Sequence, residues 1–181
     1  SIEGSHVNRE TRTEEVTLPN GEKITYERPI VDIVRFKISL KSKGILELTN
    51  PPRKTSIFIR DLELASKFNI AFKSIDIDLH NFHKKFMEEF DDAESHFIVI
   101  KSTSISEQTY ASIKIESEKS AYIEGDKFFN LSNKTIDKIG FKVGKDRLEV
   151  SRNGSISGTR EFIVDNEDLI ESMITKAKNT N

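Results

Sequence analysis

The side chains best placed to do chemistry are Asp76, Asp78, His80 and His83, with His96 a short distance downstream. Histidines three residues apart on a helix lie on roughly one face, and a carboxylate at the helix entrance would complete a three-donor set with an open position. That set, Asp78, His80 and His83, would suit a metal-dependent hydrolase. The spacing is unspecific, because zinc hydrolase helices carry a Glu between two histidines four apart, which is missing here. His80 and His83 also straddle the apolar stripe of Leu79, Phe82 and Phe86. The simpler expectation places one at the core margin and the other in solvent. Asp76 and Asp78 alternate along an extended segment and so share a side, as an acid–base carboxylate pair would. Asp78 also stands where a helix needs an N-cap, and the cap is its expected role.

Other catalytic chemistry is excluded by residue type. The chain has no cysteine, which removes disulfides, thiolate nucleophiles, iron–sulfur clusters and Cys-containing zinc sites. A Gly-x-Ser-x-Gly elbow is absent. The eight glycines are scattered and form no phosphate-binding loop, so no nucleotide cofactor is expected. These exclusions point to a non-enzymatic recognition module without a resident metal or cofactor.

Charge distribution says more than total charge. The 181 residues carry 28 Lys+Arg and 30 Asp+Glu, a formal net charge of −2. Residues 30–75 hold 9 basic and 4 acidic side chains and residues 134–160 hold 7 and 3, whereas residues 76–100 hold 2 and 7 and residues 161–181 hold 2 and 5. If the two basic blocks met in space, Arg53, Lys54 and Arg60 at a helix start would join Lys142, Lys145, Arg147 and Arg152 on hairpins. Such a surface would bind the phosphates of DNA or RNA. No aromatic residue interleaves with this basic set, and the basic blocks could equally pair with the acidic helices inside one fold. The competing class is therefore a protein-interaction or assembly domain contacting its partner through exposed strands and acidic helices. The connection Asn50-Pro51-Pro52-Arg53-Lys54-Thr55 stands out, since two prolines before a basic helix start hold donors rigidly.

Positioning these residues requires an α+β chain with a mostly antiparallel sheet and about three helices. Residues 1–6 read as a cloning remnant outside the fold. Residues 7–29 read as a mobile stretch with a hairpin around Asn20-Gly21, and residues 30–181 as a single α+β domain. Apolar alternation from Ile30 with a slip after Ile33 predicts a bulged strand, followed by a turn at residues 41–44 and a second strand at residues 45–48. Helical spacing of Phe58, Leu62 and Ala65 predicts a helix from Thr55, and that of Leu79, Phe82, Phe86 and Phe90 a helix after Asp78. Further strands are expected at residues 70–77, 97–100, 110–116, 121–124, 138–143, 148–151, 155–157 and 161–164, with residues 102–106 as connecting chain. Residues 128–131 read equally as strand or helical turn. A closing helix from Asn166 buries Leu169, Ile170 and Met173. Strands followed by a helix in both halves suggest pseudo-symmetric halves. No segment approaches the roughly 18 uncharged apolar residues of a membrane span, and a cytoplasmic protein without membrane contact is expected.

Overall fold

A computed structural model describes residues 1–39, 44–51, 55–106 and 109–178. The chain is α+β, with a three-stranded and a five-stranded antiparallel sheet and five helices among the described residues. It divides into two compact units, Ser1–Lys73 and Ser74–Asn181. The division therefore falls at residue 73, whereas the domain start expected at residue 30 lies inside a strand. The two units differ in strand and helix number, and their element orders do not display a duplicated layout.

In the first unit, β1 (Ile2–Thr17) and β2 (Lys23–Ser39) form one long hairpin, and β3 (Ile45–Thr49) pairs with the last five residues of β2. The hairpin closes through Leu18 N–H donating to Glu22 O (2.7 Å) and Gly21 N–H to Leu18 O (2.8 Å), with Gly21 at φ 83. Positive φ is why a glycine serves at that corner. Residues 2–6, expected outside the fold, pair in register with Val34–Ile38. No slip follows Ile33, because the β1–β2 register runs unbroken from Ile2↔Ile38 to Thr17↔Lys23. The apparent change of period arises because Val31 and Ile33 lie on the opposite face from Val34, Phe36 and Ile38, and both faces carry apolar residues. Helix α1 (Thr55–Ala65) contributes Phe58, whose buried ring meets Phe36 (5.7 Å) and, edge-on, His6 (5.4 Å). Among the described residues of this unit, Val34, Ile38 and Phe58 are the buried apolar side chains.

The second unit carries the larger core. Its sheet has the order β5-β4-β6-β7-β8, from β4 (Ala93–Ser106), β5 (Thr109–Glu116), β6 (Ile136–Val143), β7 (Asp146–Ser151) and β8 (Ile156–Gly158). Helix α2 (Leu79–Glu89) lays Leu79, Phe82 and Phe86 on one face of this sheet, with the Phe86 ring centroid 4.2 Å from that of Phe141 of β6 and the two rings tilted by 32°. The apolar positions at spacings of three and four make that stripe. Helix α5 (Glu167–Ala177) adds Ile170, Met173, Ile174 and Ala177 to the same core, joined by Phe162 of the short α4 (Arg160–Asp165).

Three expected strands and one expected connection resolve differently. Residues 70–77 form no strand; Ile77 N–H donates to Arg152 O and Asp78 N–H to Ala177 O (both 2.8 Å), which ties this segment between β7 and the end of α5. Residues 102–106 are not connecting chain but part of β4. Residues 121–124 open helix α3 (Ala121–Phe129), because Ala121 and Gly125 are buried one turn apart and Ser120 caps the start by accepting from Ile123 N–H. Phe128 and Phe129 end α3, and Leu131–Asn133 form a 3₁₀ turn. Residues 161–164 belong to α4, whose six residues are too few for a helical period to be read.

Candidate functional site

The residues singled out for chemistry sit at the start of α2. Asp78 is the N-cap, its Oδ1 accepting from His80 N–H (3.0 Å) and Asn81 N–H (3.2 Å). Both ring nitrogens of His80 have protein partners. Nε2 lies 2.9 Å from Lys134 O, which can only accept, so this nitrogen carries the proton. Nδ1, 2.7 Å from Tyr122 Oη, then accepts from the tyrosine hydroxyl. His83 stacks on Tyr122 with centroids 3.9 Å apart and 9° between planes, and its Nε2 is buried without a hydrogen-bond partner. Burial, with a smaller contribution from His80, lowers its pKa to about 4. Tyr122 is pushed up from the ordinary tyrosine value, first by burial and then by Asp126 and Asp78. A tyrosine shifted that way is held as a hydroxyl and is not activated as a nucleophile.

Tyr122 is the residue sequence reasoning missed, because its segment reads as a strand. Its placement depends on an irregularity in β4. The pairing with β6 shifts between Ser95 and Phe97, which is a bulge at His96. The fully buried Ser95 turns its hydroxyl to the start of α3, accepting from Tyr122 N–H (3.0 Å) and bonding Ser120 Oγ (2.8 Å). Ser120 with Glu124 in the first helical turn is the available sequence signal for α3. Around the three rings lies an open depression of ≈ 600 Å³ that also includes Asn81, Lys84, Met87 and Glu88. Among the described residues no group of three His, Asp or Glu side chains is arranged to hold a metal ion. The ligand set Asp78, His80 and His83 is thus spent on a cap, a paired imidazole and a buried stack.

The basic residues separate into three fates. Arg53 and Lys54, with Pro52 of the double-proline connection, lie outside the described residues, and Arg60 is an exposed side chain of α1, 3.5 Å from Asp61. Arg152 is a structural clamp. Its Nε and Nη2 donate to the two oxygens of Asp76 (2.5 and 2.9 Å), and this bidentate pair raises the guanidinium pKa further. Asp76 therefore pairs with an arginine and not with Asp78. Lys142, Lys145 and Arg147 come together at the β6–β7 hairpin, where Lys142 and Arg147 are direct cross-strand partners and Lys145 stands at the turn. All three are exposed and make no ion pair among the described residues.

A third surface was not expected as a site. Only Arg35–Ser39 of β2 pairs with β3, so among the described residues the hairpin from Val7 to Ile33 is two strands wide. Val7, Val31 and Ile33 on one face are each more than half exposed, and Val16, Ile24 and Tyr26 on the other are also exposed. Compared with protein-family models, curated proteins and solved structures, the chain matches none at a significant level.

Proposed function

We propose that this protein is a non-enzymatic interaction module whose partner polypeptide engages the β1–β2 hairpin. One observation carries the reading: the hairpin projects for about 35 Å beyond its pairing with β3, at roughly 3.4 Å per residue over the 11 residues from Val7 to Thr17. A two-stranded ribbon is marginal in water by itself, and apolar side chains on both faces are an unsatisfied burial demand. Strand addition at the edge, or packing on a face, would supply the missing layer. The imidazole–tyrosine cluster supports the non-enzymatic part, since Asp78 caps α2, His80 has partners at both ring nitrogens, one of them the Tyr122 hydroxyl, and His83 Nε2 is withdrawn from water.

A second reading has its own observation. The unpaired trio Lys142, Lys145 and Arg147 forms a compact cationic corner suited to a few backbone phosphates of DNA or RNA. With Arg152 committed to Asp76, that corner is smaller than the basic residues suggest from sequence.

One experiment separates the two. A photoreactive amino acid is placed at Arg9 on the hairpin, or at Lys142, in the protein expressed in cells. Crosslinking from position 9 is expected to yield adducts with polypeptide, and from position 142 none with nucleic acid. Nuclease-sensitive adducts at 142 with nothing at 9 would replace the first reading by the second.

A further inference from the structure

The reading of the hairpin as an interaction surface does not identify what it binds; the backbone and charge pattern of β1 do. Leu18 and Glu22 are bonded across the turn. Bonded pairs in an antiparallel ladder recur at every second residue, so they continue through Val16–Ile24, Glu14–Tyr26, Arg12–Arg28 and Glu10–Ile30. The intervening pair Thr11–Pro29 fits this phase, because Pro29 has no N–H to donate. The N–H and C=O groups of Val7, Arg9, Thr11, Thr13 and Glu15 consequently point away from β2. Strand β1 is at the end of the sheet order β1-β2-β3, so these groups line an edge without a strand partner among the described residues. The edge is 16 residues long and has neither a proline nor a break in its register with β2. Of the devices that guard natural edges against pairing, β1 lacks these two and carries charged side chains, Arg9, Glu10, Arg12, Glu14 and Glu15.

We infer that this edge pairs antiparallel with β1 of a second copy of the same chain, about a two-fold axis through Thr11. The inference rests on the interaction reading above. A two-fold perpendicular to the sheet sets residues equidistant from the axis opposite each other. With the axis at Thr11, Glu10 of each copy faces Arg12 of the other, Arg9 faces Thr13 and Val7 faces Glu15, with no like charges opposed. Moving the axis to Glu10 opposes Glu10 to itself, and moving it to Arg12 opposes Arg12 to itself and Glu10 to Glu14. Within the hairpin Arg12 already stands opposite Arg28, a like-charge pair, and neither arginine has an ion-pair partner among the described residues. Glu10 of the second copy would bring a carboxylate to that pair. The product is one six-stranded antiparallel sheet across two chains.

Because the chain has no cysteine, a single introduced thiol reports the contact. Thr11→Cys is expected to form a disulfide-linked dimer under mild oxidation, since paired Cα atoms about 5.5 Å apart suit a disulfide, whereas Thr17→Cys, opposite Ser5, should not. Light scattering of the unmodified chain should show a concentration-dependent rise toward twice 20.7 kDa. Arg12→Glu should weaken association about tenfold, by opposing two acidic pairs, and Glu10→Arg with Arg12→Glu should restore it. Arg12→Glu places an acid opposite Arg28, so unfolding of the hairpin is not the expected cause of that loss. A strict monomer whose Thr11→Cys variant forms no disulfide overturns self-pairing, and adducts from position 9 to other polypeptides would then leave the interaction reading standing. A dimer indifferent to Arg12→Glu, or one that the Thr17→Cys variant links and the Thr11→Cys variant does not, overturns the Thr11 axis.

Discussion

Burial takes His83 Nε2 out of water without giving it a partner, and the ring holds its proton less tightly as a result, at a pKa of about 4. The sign of the pH effect follows. Between the ordinary value of 6.5 and about 4 the unfolded chain binds a proton at this position that the folded chain does not, so stability is complete above pH 6.5 and drains as pH falls toward 4. The gap corresponds to about 3 kcal/mol. His83→Phe keeps the stacked ring on Tyr122 and removes the titration. The variant is expected to be at least as stable at pH 7, since a buried nitrogen without a partner costs free energy, and to lose less stability than the parent between pH 6.5 and 4. Urea unfolding midpoints across that range measure both; parallel pH profiles for the two proteins would contradict this account. Helix membership and the Asp78 cap were legible at these positions, because capping and apolar spacing are local. The partners of His80 were not, since Tyr122 and Lys134 are 42 and 54 residues away along the chain.

At the scale of elements, two aromatic rings lie over glycines on neighbouring strands. Phe36 of β2 covers Gly4 of β1, and Phe97 of β4 covers Gly140 of β6. Phe97 stays 8% exposed outside the main core cluster, with Lys114 Nζ 4.8 Å above its ring. A Cβ at Gly140 would run into that ring, so Gly140→Ala should cost about 1–3 kcal/mol, as overpacking does. Adding Phe97→Leu should recover part of the loss, and the interaction energy from the double-mutant cycle checks this; purely additive effects would assign the role of Gly140 to its backbone. Strands β5 to β7 and helices α1, α2 and α5 were legible because each repeats its apolar period several times. Helix α3 was hidden because Gly125-Asp126 carries the composition of a turn, yet Gly125 is buried there in the middle of the helix. Tertiary packing outweighs the propensity cost of one helical glycine.

For the whole molecule, every residue of the main core cluster lies between Ile77 and Ala177, within the second unit. Residues 74–181 should therefore fold alone, with cooperative thermal unfolding and dispersed amide resonances; a fragment with collapsed dispersion would contradict an independent core. The class of the fold was determined by the sequence alone, because alternation and helical spacing are properties of neighbours along the chain. So were the absence of cysteine chemistry and of phosphate loops, and the segregation of charge into blocks. Only the tertiary structure decided what those charges do. It joined Arg152 to Asp76 and left Lys142, Lys145 and Arg147 together at one hairpin, and it laid the polar first 30 residues into a ribbon with an edge lacking a strand partner among the described residues. Pairing of charges and exposure of backbone depend on which distant segments meet in space, and residue spacing carries no record of that.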